Sequence, residues 1–264
     1  MRTSCCVILL LLGLLPWLAQ ADVICDGVDD DANTGIAFST FASATTATLV
    51  VSFTPAGAAL TGGDNCYYGE ATLGIYQNGA FSGDIGIFRN GSFFGQDRLC
   101  GFNYDGTEDV IASVYTSGVR QHAALVHTGG NLTLYVNGAQ VGSPIASGNT
   151  GNTSATLRIC LGASRLDNPS YQVLNGRIHE AKVYSVALTA GQIASEALSG
   201  VHNVITTAPS GLWLFNTCPM GTSGNAFNFR DTSGGQRPMV GDDGANNTGL
   251  TCQGSSLSYQ WGVW

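Results

Sequence analysis

The chain has 264 residues, of which 11% are charged, and 18 acidic against 10 basic side chains leave a formal net charge of −8. There is no basic patch to neutralise phosphates, which argues against nucleic acid as a partner. With 36 glycines and a single lysine, Lys182, the surface must be carried by Ser, Thr, Asn, Gly and backbone, which suits hydrogen bonding to sugars or close packing of subunits.

The N-terminus reads first as an address. Arg2 precedes an apolar run from Val7 to Leu18, and Ala19-Gln20-Ala21 is a small-x-small cleavage signal, so residues 1–21 are expected to be a secretory signal peptide with Asp22 opening the mature chain. The run is shorter than the ~20 apolar residues of a spanning helix, and a secreted, extracellular product without a membrane span is expected. Of the eight cysteines, Cys5 and Cys6 fall in the leader; Cys25, Cys66, Cys100, Cys160, Cys218 and Cys252 remain. An even set in an exported chain points to disulfides, and six cysteines allow 15 pairings. Proximity along the chain favours Cys66 with Cys100 and Cys218 with Cys252, leaving Cys25 with Cys160. No CxxC spacing supports zinc. Four sequons, at Asn90, Asn131, Asn152 and Asn246, are candidate N-glycosylation sites.

Strand candidates follow at Thr48–Thr54, Ala71–Gln77, Asp84–Arg89 and Val110–Tyr115, with turns at Thr61-Gly62-Gly63-Asp64, Asn78-Gly79, Asn90-Gly91 and Asp105-Gly106. His122–Val126 and Leu132–Val136 flank Gly129-Gly130 and are expected to form a hairpin. Asn137-Gly138 marks a second tight turn before Gln140-Val141, because an Asn-Gly pair accepts the positive φ of a two-residue loop. Ser147–Ala155 reads as an exposed loop. Arg177, His179, Lys182 and Tyr184 interleave with Ile178, Ala181, Val183 and Val186, with a slip of phase near Glu180 that suggests a bulge. Thr189 and Gln192 form a capping-box signature for a short helix whose stripe is Ile193, Ala194, Ala197 and Leu198, ending at Gly200. Leu212–Phe215 and Ala226–Arg230 read as further strands, Gly234–Gly249 as an exposed loop, and the aromatic tail through Trp261 as packed. Many short strands with one helix predict an all-β, antiparallel two-sheet sandwich.

Three ordered pieces, His122–Gly142, Leu157–Ala163 and Gly176–Ile193, resemble the hairpin, strand and closing strand-helix signature of the laminin-G-like, concanavalin-A-like jellyroll family. Cys25-Asp26-Gly27-Val28-Asp29-Asp30 is similar to the family's opening strand, and Leu212–Phe215 with Asp231–Gly235 to its closing pair. Cys160 interrupts the usual strand. The resemblance implies a jellyroll core over residues 22–200, with residues 201–264 as C-terminal strands and tail on the same domain. It also implies calcium as a candidate ion: Asp26 and Glu180 match acidic positions on strands that commonly neighbour each other, and oxygen-only coordination suits calcium.

Catalysis has little support. Glycan cleavage needs a pair of carboxylates about 5–9 Å apart, yet Glu70, Glu108, Glu180 and Glu196 form no strand motif of the glucanase type. Asp29, Asp30 and Asp31 read as a turn or calcium loop. His122 and His127 are five apart and face opposite sides of a strand, so they do not share a metal. GxSxG and HExxH are missing. The expected function is a secreted, non-catalytic carbohydrate-binding or adhesion protein, with Tyr67, Tyr68, Tyr104, Tyr171 and Trp261 as candidate stacking residues, and a glycan, matrix or cell-surface component as partner. The alternatives are a self-assembling subunit of an extracellular filament, sheath or coat and, third, a glycoside hydrolase.

Overall fold

The computed structural model describes residues 22–26, 31–57, 70–75, 85–90, 97–149, 153–159, 174–199, 205–215, 227–229, 233, 239–242 and 251–253. In chain order the strands are β1 (Asp22–Asp26), β2 (Asp31–Ala37), β3 (Thr46–Pro55), β4 (Glu70–Ile75), β5 (Ile85–Asn90), β6 (Arg98–Tyr104), β7 (Glu108–Val114), β8 (Gln121–Thr128) and β9 (Asn131–Val136). They continue as β10 (Ala139–Gln140), β11 (Ile145–Ala146), β12 (Thr156–Ile159) and β13 (Asn175–Tyr184), then helix α1 (Ala190–Ser199), β14 (Gly211–Leu214), β15 (Phe227–Phe229), β16 (Met239–Asp242) and β17 (Thr251–Gln253).

Two antiparallel sheets result. The first runs β10-β9-β8-β3-β13-β1-β17, with β11 also on β9 and β14 also on β13; the second runs β15-β16-β2-β12-β4-β5-β6-β7. Side chains alternate across each strand, so Leu49, Val51, Phe53, Leu125, Leu134, Ile178 and Val183 of the first sheet meet Leu73, Ile75, Ile85, Ile87, Leu99, Ile111 and Leu157 of the second in one core. Trp213 packs edge-on against Phe41 within it, ring centroids 5.5 Å apart. Where the sheets approach, Gly101 leaves room for a neighbour: a Cβ there would lie 2.4 Å from Leu125 Cδ1.

The all-β sandwich and its single described α-helix match the sequence expectation. The hairpin forms as read, with Thr128 opposite Asn131, and both turn pairs take positive φ, 51° and 96° at Gly129 and Gly130 and 51° and 82° at Asn137 and Gly138. The slip near Glu180 is a bulge on β13: the partner of Ile178 is Phe53, and that of Glu180 is Ser52.

Several expectations need correction. Asp31 begins β2 rather than a turn, β6 was not anticipated as a strand, and β16 lies inside the stretch read as an exposed loop. Ser147, at the start of the other expected loop, is buried. Leu198, assigned to the apolar stripe of α1, is 84% exposed. Asn90 is fully buried in β5, so a glycan there is incompatible with the fold. Asn131 is exposed at the hairpin, and Asn152 and Asn246 lie outside the described residues. Cys25 and Cys100 are buried and disulfide-bonded; the pairings expected for them, with Cys160 and Cys66, involve residues outside the described set, as does Cys218 with Cys252.

The first sheet is covered on both faces. On the side away from the core, Val50, Ala124, Val126, Tyr135 and Tyr184 pack with Leu188 and Ile193, which is why β13 is buried almost throughout rather than at alternate positions. The second sheet also has buried residues on its outer side: Phe88 and Phe102 meet edge to face, 5.8 Å between centroids, and both are within 1% of full burial.

Candidate functional site

The site forms where α1 lies on the outer face of the first sheet. The helix starts on a complete capping box: the Gln192 amide N–H donates to Thr189 Oγ1 (3.3 Å) and the Thr189 N–H to Gln192 Oε1 (2.9 Å), satisfying two orphan donors. From that start, the 3.6-residue period puts Ile193 and Glu196 on the buried side. The Asn137-Gly138 turn braces the other flank, because a Cβ on Gly138 would sit 3.1 Å from Ala194 Cα.

Beneath the helix, the two-residue period of β13 sends Glu180, Lys182 and Tyr184 outward together. Lys182, 1% exposed, places Nζ 2.5 Å from Glu180 Oε1 and donates to Glu196 Oε2. The Tyr184 hydroxyl donates to Glu196 Oε1 at 2.9 Å, and burial beside these carboxylates pushes its pKa up. One ammonium thus compensates two carboxylates in a place where an unpaired charge would be costly.

A pocket of about 220 Å³ opens beside this network, walled by Ser52, Arg120, His122, Asn137, Glu180 and Glu196, with Leu198 at its edge. Arg120 Nε donates to Ser52 Oγ at 2.7 Å, and Ser52 pairs across the strands with His122. Asn137 is held by both ends of its amide: Oδ1 accepts from the His122 N–H (2.8 Å) and Nδ2 donates to Gln121 Oε1 (3.0 Å). Burial, then the Lys182 charge, lowers the His122 pKa to about 4. Its Nδ1 has no hydrogen-bond partner among the described residues.

Two other polar clusters are structural. Arg89 and Glu70, both fully buried, pair at 3.3 Å, and the guanidinium also donates to Ala56 O and Asn175 O, tying the sheets at one end. At the other end Asn103 Nδ2 donates to Ser147 Oγ (2.8 Å), His127 Nε2 to Gly148 O (2.7 Å), and the Gly148 N–H to Asp105 Oδ2 (2.7 Å). Bonds from Thr107 hold the Asp105 carboxyl below its usual range, whereas burial pushes Asp109 up.

The residues expected for calcium are not brought together. β1 does neighbour β13, but Asp26 pairs with Asn175, five residues from Glu180, or about 16 Å along the strand. Glu180 already holds the Lys182 ammonium, so these two positions do not fit a shared ion. No group of three or more metal-ligating side chains occurs among the described residues. Of the candidate stacking residues, Tyr104 is half-buried at the end of β6, away from the pocket; Tyr67, Tyr68, Tyr171 and Trp261 lie outside the described residues. His122 and His127 do face opposite sides of β8. Ser52 and Arg120 carry no sequence motif, Asn137 reads only as half of the Asn137-Gly138 turn, and Glu196 only as a glutamate outside any glucanase-type motif. The signal that could have pointed here is the lone lysine, Lys182, in a strand two residues from Glu180.

Residues 94–194 match the family model described as the concanavalin A-like lectin/glucanases superfamily. No curated protein matches the chain in sequence. Among solved structures, a proposed carbohydrate binding protein from Bacteroides ovatus superposes with a TM-score of 0.62 at 13% identity, over 90% of this chain and 61% of that one. The chain therefore spans about three fifths of that protein's length. The heptameric SAP-like pentraxin of Limulus polyphemus superposes with a TM-score of 0.53 at 14% identity, over 85% of this chain and 96% of the pentraxin. At such identities the likeness is one of fold, and residues 94–194, which include the hairpin and the closing strand, are similar to the concanavalin A-like lectin/glucanases model.

Proposed function

We propose that the chain is a secreted carbohydrate-binding protein that recognises glycans without cleaving them. The observation that carries this reading is the state of its glutamates. Each glutamate whose side chain is described is held by a cation: Glu70 by Arg89, and Glu180 and Glu196 by Lys182. Glycosidic cleavage asks for one protonated acid and one uncommitted carboxylate flanking the bond, and a shared lysine opposes both roles at once. The lectin/glucanase sandwich supplies a scaffold on which recognition and hydrolysis both occur, so the choice rests on the site rather than the fold. Disulfide-bonded Cys25 and Cys100 support export, because such bonds persist in oxidising compartments.

The test is a glycan array probed with the purified protein, with and without calcium, beside an assay for released reducing ends on the glycans that bind. Binding without release is expected. Release of reducing ends from a bound glycan contradicts the non-catalytic reading, and a blank array under both conditions contradicts carbohydrate recognition itself.

A further inference from the structure

We infer that the pocket between the last turn of α1 and the outer face of the first sheet is the glycan site, and that it takes a single uncharged sugar residue. The inference rests on the carbohydrate-binding reading and adds its place and its ligand class. The volume, about 220 Å³, falls below the 300–1,000 Å³ of sites that enclose drug-sized ligands, so it accommodates one ring or chain end rather than a stretch of polymer.

Charge selects the class. Two carboxylates, Glu180 and Glu196, stand beside one ammonium and one guanidinium, Lys182 and Arg120, so the described charges balance. His122 is neutral near pH 7 because burial pulls its pKa to about 4. An anionic sugar would bring a third negative charge against two carboxylates, and a cationic one would compete with Lys182. Hydroxyls fit instead. The Ser52 hydroxyl accepts from Arg120 Nε and keeps its own proton to donate. His122 Nδ1, without a partner among the described residues, is an acceptor in one tautomer and a donor in the other. Donors and acceptors so close together match adjacent sugar hydroxyls, each of which is both. Leu198, 84% exposed at the mouth, offers an apolar edge to the C–H face of the ring.

The experiment is a titration of uncharged oligosaccharides (cellohexaose, mannohexaose, xylohexaose, chitohexaose) and acidic ones (hexagalacturonate, a heparin hexasaccharide) into the full chain, followed by calorimetry and by the imidazole NMR signals of the histidines. An uncharged oligosaccharide is expected to bind and to shift His122 but not His127. The Arg120→Ala substitution, at an exposed position, is expected to weaken that binding at least tenfold, and Leu198→Trp, which narrows the mouth, to do likewise. Binding that leaves His122 unmoved and both variants unimpaired overturns the pocket while the carbohydrate-binding reading stands. Binding of acidic oligosaccharides alone overturns the ligand class. Binding of none overturns this inference together with the reading beneath it.

Discussion

Lys182 on β13 and Glu196 on α1 form a buried ion pair that fastens the helix to the sheet, with Glu180 completing the triad 2.5 Å from the same Nζ. The chain's only lysine is thus spent inside the protein, and it decides both the seat of the helix and the electrostatics of the adjoining pocket.

Removing that ammonium leaves two carboxylates buried without a counter-charge. Lys182→Met is expected to lose about 3–5 kcal/mol, the usual cost of breaking a buried pair from one side. Urea denaturation of the variant against the parent checks this; a loss below about 1 kcal/mol contradicts the network described here.

The capping box makes a smaller, separable demand. Thr189→Ala deletes the hydroxyl that accepts from the Gln192 N–H and is expected to cost about 1 kcal/mol, readable in the same denaturation curves.

Gly138 is constrained twice, by a φ of 82° and by Ala194 Cα 3.1 Å from where its Cβ would be. Gly138→Ala is expected to cost more than about 1 kcal/mol and to disturb the pocket, since its neighbour Asn137 lines it. Amide exchange in α1 should speed up in this variant and stay unchanged in Gly142→Ala, whose Cβ would meet nothing within 4 Å although its φ is 58°.

Acid should weaken the fold through His122. Its folded pKa of about 4 lies below the ordinary value of 6.5, so between those values the unfolded chain binds a proton that the folded chain refuses. Stability from this group is complete above pH 6.5 and is lost as pH falls towards 4. His127, also lowered by burial, acts in the same direction. Denaturation midpoints measured from pH 7.5 to 4.5 should fall, and fall less in His122→Gln; an unchanged slope in that variant removes His122 from the explanation.

The parts of the fold that announce themselves in sequence are those governed by local chemistry. Gly129-Gly130 and Asn137-Gly138 specify their turns because few other residues tolerate those φ values, and Thr189 with Gln192 specifies where α1 begins. β6 escaped notice because Cys100, Gly101 and Asn103 interrupt its alternation, and Gly101 is small for a reason that lies on another strand, at Leu125. The site was less legible still. Alternation put Lys182 on the outer side of β13, but its burial depends on a helix that packs there later in the chain. Asp26 and Glu180 share neighbouring strands, yet antiparallel register sets them apart.

The most direct test of the central claim is co-sedimentation of the purified protein with insoluble uncharged polysaccharides, with the supernatant assayed for new reducing ends. Retention of the protein on at least one polysaccharide with no reducing ends released is the predicted result; failure to sediment with any of them, or release of reducing ends, would contradict it.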